Sequence, residues 1–220
     1  MIVYVPDPCS VAGKLVVFSR PRLDFSVAQK HVLVDVGVAI ARGGYFSVSD
    51  YIRLIRKVKA VRHVEEVAAV VPDVVNNYSK TVENYRKYAR YVRGAGAKTV
   101  FVAQELKPPP HDVDADIVAV PSHWLLGVNC AREPETCAFR ILRFLREHSE
   151  RVHLLGPPKR LLKLLLRSLG GNISFDTTAY RMAPNESSRK LLGGKYMAEG
   201  GVACQWLSEW LKELNLGTWP

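Results

Sequence analysis

Short apolar runs alternate along the chain with longer amphipathic stretches. Ile2–Val5, Leu15–Phe18, His31–Asp35, Val67–Val71, Thr99–Ala103, Ile117–Val120, Val152–Leu155 and Ile173–Phe175 are dominated by Val, Ile, Leu, Ala and Phe, with almost no polar alternation. Continuous apolar runs of this length are expected of parallel strands buried on both faces. Between them the period changes to that of a helix. Ser47 or Ser49 can cap a helix reaching to about Arg62, with Ile52, Ile55 and Val58 at helical spacing. A second runs from about Tyr78 to Val92, and a third over about Pro134–Glu147 with Phe139, Leu142 and Leu145 on one side. After Pro157 and Pro158, a leucine-rich face opposes Lys159, Arg160, Lys163 and Arg167, and Gly170-Gly171 ends that helix. A last helix covers about Val202–Leu214, with Trp206 and Trp210 one turn apart.

Eight strands with helices between most of them predict an α/β fold, a (β/α)8 TIM barrel forming one compact domain over residues 1–220. A doubly wound open sheet is the alternative. At 48% hydrophobic, a chain of 220 residues can fill one sizeable core.

Polar groups punctuate the strand ends. Asp35, Asp73, Gln104 and Asp176 each stand where an apolar run stops. In a closed parallel barrel these positions share one mouth, the end where such barrels keep their chemistry. An Asp there can also cap the next segment. Three carboxylates and an amide in one cleft are costly unless used, because buried charge without a partner costs several kcal/mol. Two chemistries suit them. One carboxylate can attack a sugar C1′ while a second handles the proton. Alternatively the group can hold a divalent cation, with His153 or His31 beside Asp35 and Asp73 in a metal-dependent lyase or hydrolase. Gln104 favours the first, since an amide can both donate to and accept from a purine edge. A histidine early in its strand, as His153 is, can equally be a packed core residue.

Charge adds a partner. Lys and Arg number 31 against 21 Asp and Glu, a net charge of +10, which suits a polyanion. Lys80, Arg86, Lys87, Arg90 and Arg93 alternate with Tyr78, Tyr85, Tyr88 and Tyr91 on one predicted helix, as on nucleic-acid-binding surfaces and on ordinary amphipathic helices. Only three Gln occur, which also fits a thermophile's surface. No run of apolar residues is long enough to span a membrane. The start, MIVYVPDPCS, does not read as a signal peptide, so a cytoplasmic protein is expected. The four cysteines, Cys9, Cys130, Cys137 and Cys204, form no CxxC pair. Cys130 and Cys137 could bridge, but buried free thiols are the expectation. No metal or cofactor motif is found.

Taken in order, the strand ends resemble the catalytic domain of the tRNA-guanine transglycosylase family, which includes paralogues that place 7-deazaguanines into DNA. Ile173-Ser174-Phe175-Asp176-Thr177-Thr178 with Arg181 resembles the strand "FDCV…R", whose Asp is the covalent nucleophile. His153-Leu154-Leu155-Gly156 resembles the "LMG" strand. Val100-Phe101-Val102-Ala103-Gln104 resembles "GIVQG", whose Gln reads the base. Pro72-Asp73 with Ser79 and Thr81 resembles "FDE…S…T", whose Asp binds the base. Val34-Asp35-Val36-Gly37 resembles "TDSGG", whose Asp is the general acid/base. The resemblance runs from Val32 to Arg181. It implies exchange of guanine for a 7-deazaguanine in DNA or tRNA, without a cofactor. Asp176 would be the nucleophile and Asp35 the acid/base. Asp73, Gln104 and Ser122 would hold the base, with Phe46 or Tyr45 stacking on it. Arg181, Lys80 and Arg86 would take phosphates. The family's zinc site, CxCxxC with a later His, is absent, its GG pair is reduced to Gly37, and the loop after the sixth strand reads Pro121-Ser122-His123. DNA or a free nucleoside therefore stands beside tRNA as substrate. A non-catalytic nucleic-acid-binding barrel or accessory subunit, and a base-removing N-glycosylase, remain open. So does a homodimer through the C-terminal helix and Trp219.

Overall fold

Eight parallel strands close into a barrel, each paired with its successor in the chain and the last returned to the first. The computed structural model describes residues 2–122, 124–147, 151–169, 173–177 and 200–214. The barrel strands are β1 (Ile2–Val5), β2 (Gly13–Val17), β3 (His31–Asp35), β4 (Glu66–Val70), β5 (Lys98–Val102), β6 (Ile117–Pro121), β9 (Val152–Leu155) and β10 (Ile173–Asp176). A two-stranded antiparallel hairpin, β7 (Trp124–Leu125) and β8 (Val128–Asn129), stands apart from them. Val3 pairs with Phe175 across β1 and β10, and Val17 with Asp35 across β2 and β3. The closed sheet replaces the open-sheet alternative.

The helices are α1 (Val38–Ala41), α2 (Val48–Lys59), α3 (Tyr78–Gly94), α4 (Pro134–Glu147), α5 (Lys159–Leu169) and α6 (Gly200–Glu213). Ser47 caps α2 by accepting from the Asp50 amide, and Asn77 caps α3 by accepting from Lys80. On α4 the buried side is Cys137, Ala138, Ile141 and Phe144, while Phe139 is 69% exposed. The expected face was turned by one position, because Phe139, Leu142 and Leu145 also satisfy a 3.6 period. On α3 the tyrosines divide: Tyr85 is buried against Phe101, Tyr88 is half-buried, and Tyr91 is exposed. No helix among the described residues is long and apolar enough to cross a membrane.

Full alternation of strand and helix is not reached. The returns from β1 to β2 and from β2 to β3 carry no helix, and that from β5 to β6 only a short 3-10 turn at Gln104–Leu106. Polar clamps cover the gap. Lys14 is fully buried on β2, donates to the Pro6 carbonyl at 2.7 Å and to Asp24 at 2.8 Å, and stands 5.7 Å over the Phe25 ring. Gln29 reaches back to the Asp7 carbonyl at 3.1 Å. The expected free thiols are instead two disulfides, Cys130–Cys137 and Cys9–Cys204. The second ties the first return to α6 across 195 residues of sequence, a pairing no local pattern signals.

The N-terminal end of the barrel is closed by charge. Glu66, first in β4, accepts from Lys98 of β5 and from Arg151 at 2.7 Å. Burial pushes Glu66 up, but those two hydrogen bonds outweigh it and hold the carboxylate below its ordinary range. His31 lies at this end too, 4.0 Å from Glu66.

Candidate active site

The opposite end opens as a cavity of about 530 Å³. That lies within the ordinary range for a small-molecule site, about 300 to 1,000 Å³. Asp35, Asp73, Gln104, Ser122 and Asp176 all line it. They arrive from the C-terminal ends of β3, β4, β5, β6 and β10, five strands spread over most of the sequence. Closure of the barrel alone brings them together.

Tyr51 of α2 sets the height of two of these ends. Its buried hydroxyl donates toward the Val70 carbonyl at 2.7 Å, with the Val34 carbonyl at 3.1 Å. The tyrosine thus pins β3 and β4 just before Asp35 and Asp73. Gly37 follows Asp35 at φ +89°, a conformation that L side chains rarely adopt. An added Cβ there would stand 2.9 Å from Ser19 Oγ and Val17 Cγ1. The turn returns the Gly37 amide to Asp35 Oδ1 at 3.2 Å. Burial, and then the Asp176 charge, push Asp35 up to about 7.

Asp73 and Gln104 act as a unit. The Asn76 amide can only donate, so Gln104 turns its oxygen to it, at 3.0 Å, and its NH2 to Asp73 Oδ2 at 2.7 Å. One N–H of Gln104 is left for a ligand. Asn76 is at φ 56°, a left-handed turn that aims its amide into the site. Burial pushes Asp73 up to about 6, against the opposing hydrogen bond from Gln104.

Asp176 ends β10. Its Oδ1 accepts from the Gly156 amide at 3.1 Å and lies 3.0 Å from His153 Nε2. No hydrogen bond to its Oδ2 is made among the described residues. His153 thus joins the strand-end set from below. Its neighbour in sequence gives no hint of this, because the partner lies 23 residues away. His31 sits at the other end of the barrel, so of the two histidines offered for the metal-dependent alternative only His153 lies at this end. Among the described residues no three His, Cys, Asp or Glu side chains gather as a metal-binding cluster.

The remaining expected site residues are engaged otherwise or lie away from the cavity. Ser122 lines the cavity, but its hydroxyl is buried and donates to the Val120 carbonyl at 3.0 Å. Phe46 does not line it. The ring packs edge-on against Phe18, Tyr51 and Tyr88, and serves the core between α2, α3 and the barrel. Tyr45 is 89% exposed. Arg86 is gripped by Asp112 through two hydrogen bonds of 2.8 and 3.0 Å, and Lys80 is exposed on α3. Arg181 and Trp219 fall outside the described residues. Reading the sequence for strand ends missed Arg42, Asn76 and Gly156, which also line the cavity. Among the described residues Arg42 has no carboxylate partner, and it lines the same cavity as the three Asp. Gly156, at φ +56°, was legible as a strand stop but not as a donor. The sequence matches no family model and no curated protein.

Proposed function

We propose that this chain is a base-exchange glycosyltransferase built on a TIM-type barrel, replacing guanine in DNA or tRNA with a 7-deazaguanine through a covalent Asp176–sugar ester. One observation carries the reading. Two carboxyls face one cavity in different environments, Asp35 pushed to about 7 and Asp176 with one oxygen anchored and the other without a partner among the described residues.

The steps balance as a double displacement. Asp176 Oδ2 bonds to C1′ as the C1′–N9 bond breaks, and the electron pair leaves with the base. Asp35, protonated at the start, gives that base its proton. Asp176 has then lost its charge to the ester. The second cause that keeps Asp35 neutral has gone, and the carboxylate it has become is eased. It takes the proton of the incoming base, whose nitrogen attacks C1′ and releases Asp176. A group near 7 gives and takes a proton with similar ease at neutral pH. Asp73 and the remaining Gln104 N–H supply an acceptor and a donor for a purine edge. Arg42 at the rim suits a phosphate, and the net charge of +10 suits the polymer.

Trapping tests this. The chain is incubated with labelled guanine and tRNA, duplex DNA or single-stranded DNA, then denatured. A polymer–protein adduct that Asp176→Asn abolishes identifies both the nucleophile and the substrate. Release of base without incorporation would mean a base-removing N-glycosylase. Tight, salt-sensitive binding with neither adduct nor exchange would leave a non-catalytic nucleic-acid-binding barrel.

A further inference from the structure

The proposed chemistry leaves a buried imidazole unused. His153 occupies the second position of β9, 1% exposed, with both ring nitrogens engaged: Nε2 at 3.0 Å from Asp176 Oδ1 and Nδ1 at 3.0 Å from Ser174 Oγ. Ser174 and Asp176 are two apart on β10, so both point into the barrel and grip the ring from one strand.

Donor and acceptor follow from the chemistry of the three groups. An ionised carboxylate can only accept, so Nε2 carries the proton. Ser174 Oγ has two candidate acceptors, Nδ1 at 3.0 Å and the Val152 carbonyl at 3.4 Å. The shorter contact takes the hydroxyl proton, and Nδ1 then accepts. This assigns the proton of the neutral imidazole to Nε2. Around it stand Tyr4 of β1, whose ring meets the imidazole edge-on at 5.7 Å, and Asp176 of β10. Burial pushes Tyr4 up to about 12, so it is neutral. Arg151 and Glu66 act on Tyr4 from the closed end. Asp35 of β3 faces Asp176 across the mouth.

We propose that His153, held in one tautomer by Ser174, is a positioning residue for Asp176. With the Gly156 amide it anchors Oδ1, so that Oδ2 points into the cavity on a fixed line of attack. This rests on Asp176 being the nucleophile. A neutral donor suits the task, since an imidazolium would stabilise the free carboxylate far more and blunt its attack. When Oδ2 bonds to C1′, Oδ1 becomes the ester carbonyl oxygen and keeps both donors. The same bonds then stabilise the carboxylate as it departs.

The test uses the whole chain and labelled-guanine exchange into whichever polymer it modifies. His153→Leu is expected to lower kcat by about 10²-fold, the usual cost of a misplaced reacting group, and to leave KM for base and polymer within about twofold. His153→Gln, whose amide can still donate to Oδ1, recovers most of that loss. Ser174→Ala removes the partner of Nδ1 and should move the imidazole ¹⁵N signals while lowering kcat less than His153→Leu does. In the free protein, imidazole ¹⁵N NMR should show His153 as the neutral Nε2–H form at pH 7, and Asp176→Asn should move its signals. Exchange that survives His153→Leu, or an Nδ1–H tautomer, overturns the proposal. If the leucine variant does not fold, the Gln and Ala variants and the spectrum decide. A wild-type chain without exchange activity would instead sink the base-exchange reading, while the spectrum still reports whether His153 is coupled to Asp176.

Discussion

The two ends of the barrel treat carboxylates in opposite ways. At the closed end Glu66 accepts from both Lys98 and Arg151, and its charged form is favoured. At the open end Asp35 and Asp73 are pushed up by burial, and Asp35 further by Asp176. The same fold therefore places cations on the carboxylate at one end and, Arg42 aside, none on those at the end where the cavity opens, among the described residues. Pairing a carboxylate stabilises the fold, whereas leaving several of them close together keeps them reactive. Under the proposed function the closed end serves stability and the open end chemistry, and that division can be broken.

The largest effect is expected at Asp176. Asp176→Asn should reduce exchange by at least about 10⁴-fold, as loss of a covalent nucleophile does, and leave no adduct on denaturing gels. Glu66→Gln should leave exchange within about threefold. If the two variants lose activity alike, the ends are not divided as described.

Asp35→Asn comes next. Exchange should fall by about 10²- to 10⁴-fold, the usual contribution of a general acid/base, and its pH dependence near 7 should vanish. Stability should move the other way. A carboxyl raised from 3.8 to about 7 binds its proton more tightly in the folded state, so wild-type stability falls as pH rises across that interval. The variant escapes this fall. It should match wild type near pH 4 and exceed it by about 1 to 2 kcal/mol above pH 7, after allowing for the partial exposure of the group. Urea unfolding at several pH values measures both. A variant no more stable than wild type at pH 8 would mean that the mouth is not strained.

Much of this contrast was legible in the chain. Strands β3 and β9 fall where the apolar runs begin and end, and Asp35, Asp73, Gln104 and Asp176 do meet in one cavity, because a closed parallel barrel sends every strand end to the same side. The closed end was not legible. Glu66 and Arg151 are 85 residues apart, and each looks like an ordinary surface charge. His153 read as a packed histidine because its partner depends on the register of β9 with β10. Phe46 read as a stacking residue because an aromatic in a Gly-containing loop looks exposed, whereas Phe18, Tyr51 and Tyr88 had already made a place for it. The bare returns at β1 and β2 hid the buried Lys14, whose burial lowers its pKa against the pull of Asp24.

At the closed end Glu66→Gln should cost about 2 kcal/mol at pH 7, because it leaves Arg151 and Lys98 facing each other over a neutral amide. Here the sign is the reverse of that at Asp35. A carboxylate held below its ordinary 4.5 contributes stability that is present above that pH and lost as pH falls through its folded value. The cost of the substitution should therefore shrink in acid, while the gain from Asp35→Asn appears only as pH rises. Opposite slopes from two carboxyls in one barrel would be direct evidence for the contrast. Parallel slopes would remove it.

The smallest effect should come from Lys98→Met. Its ammonium pairs with Glu66, but the side chain is 46% exposed, whereas Arg151 is 31% exposed and Glu66 only 20%. Water and salt screen the lysine more than the arginine, and a flexible ammonium gives up more freedom to hold one geometry than a planar guanidinium does. Lys98→Met is expected to cost about 0.5 kcal/mol and Arg151→Met clearly more, with the gap between them persisting in 1 M salt, where the lysine contribution fades first. Equal losses would mean that Glu66 is held by charge alone and that burial of the pair does not matter. The closed end would then differ from the mouth only in the number of cations near it, rather than in how deeply they are built into the barrel.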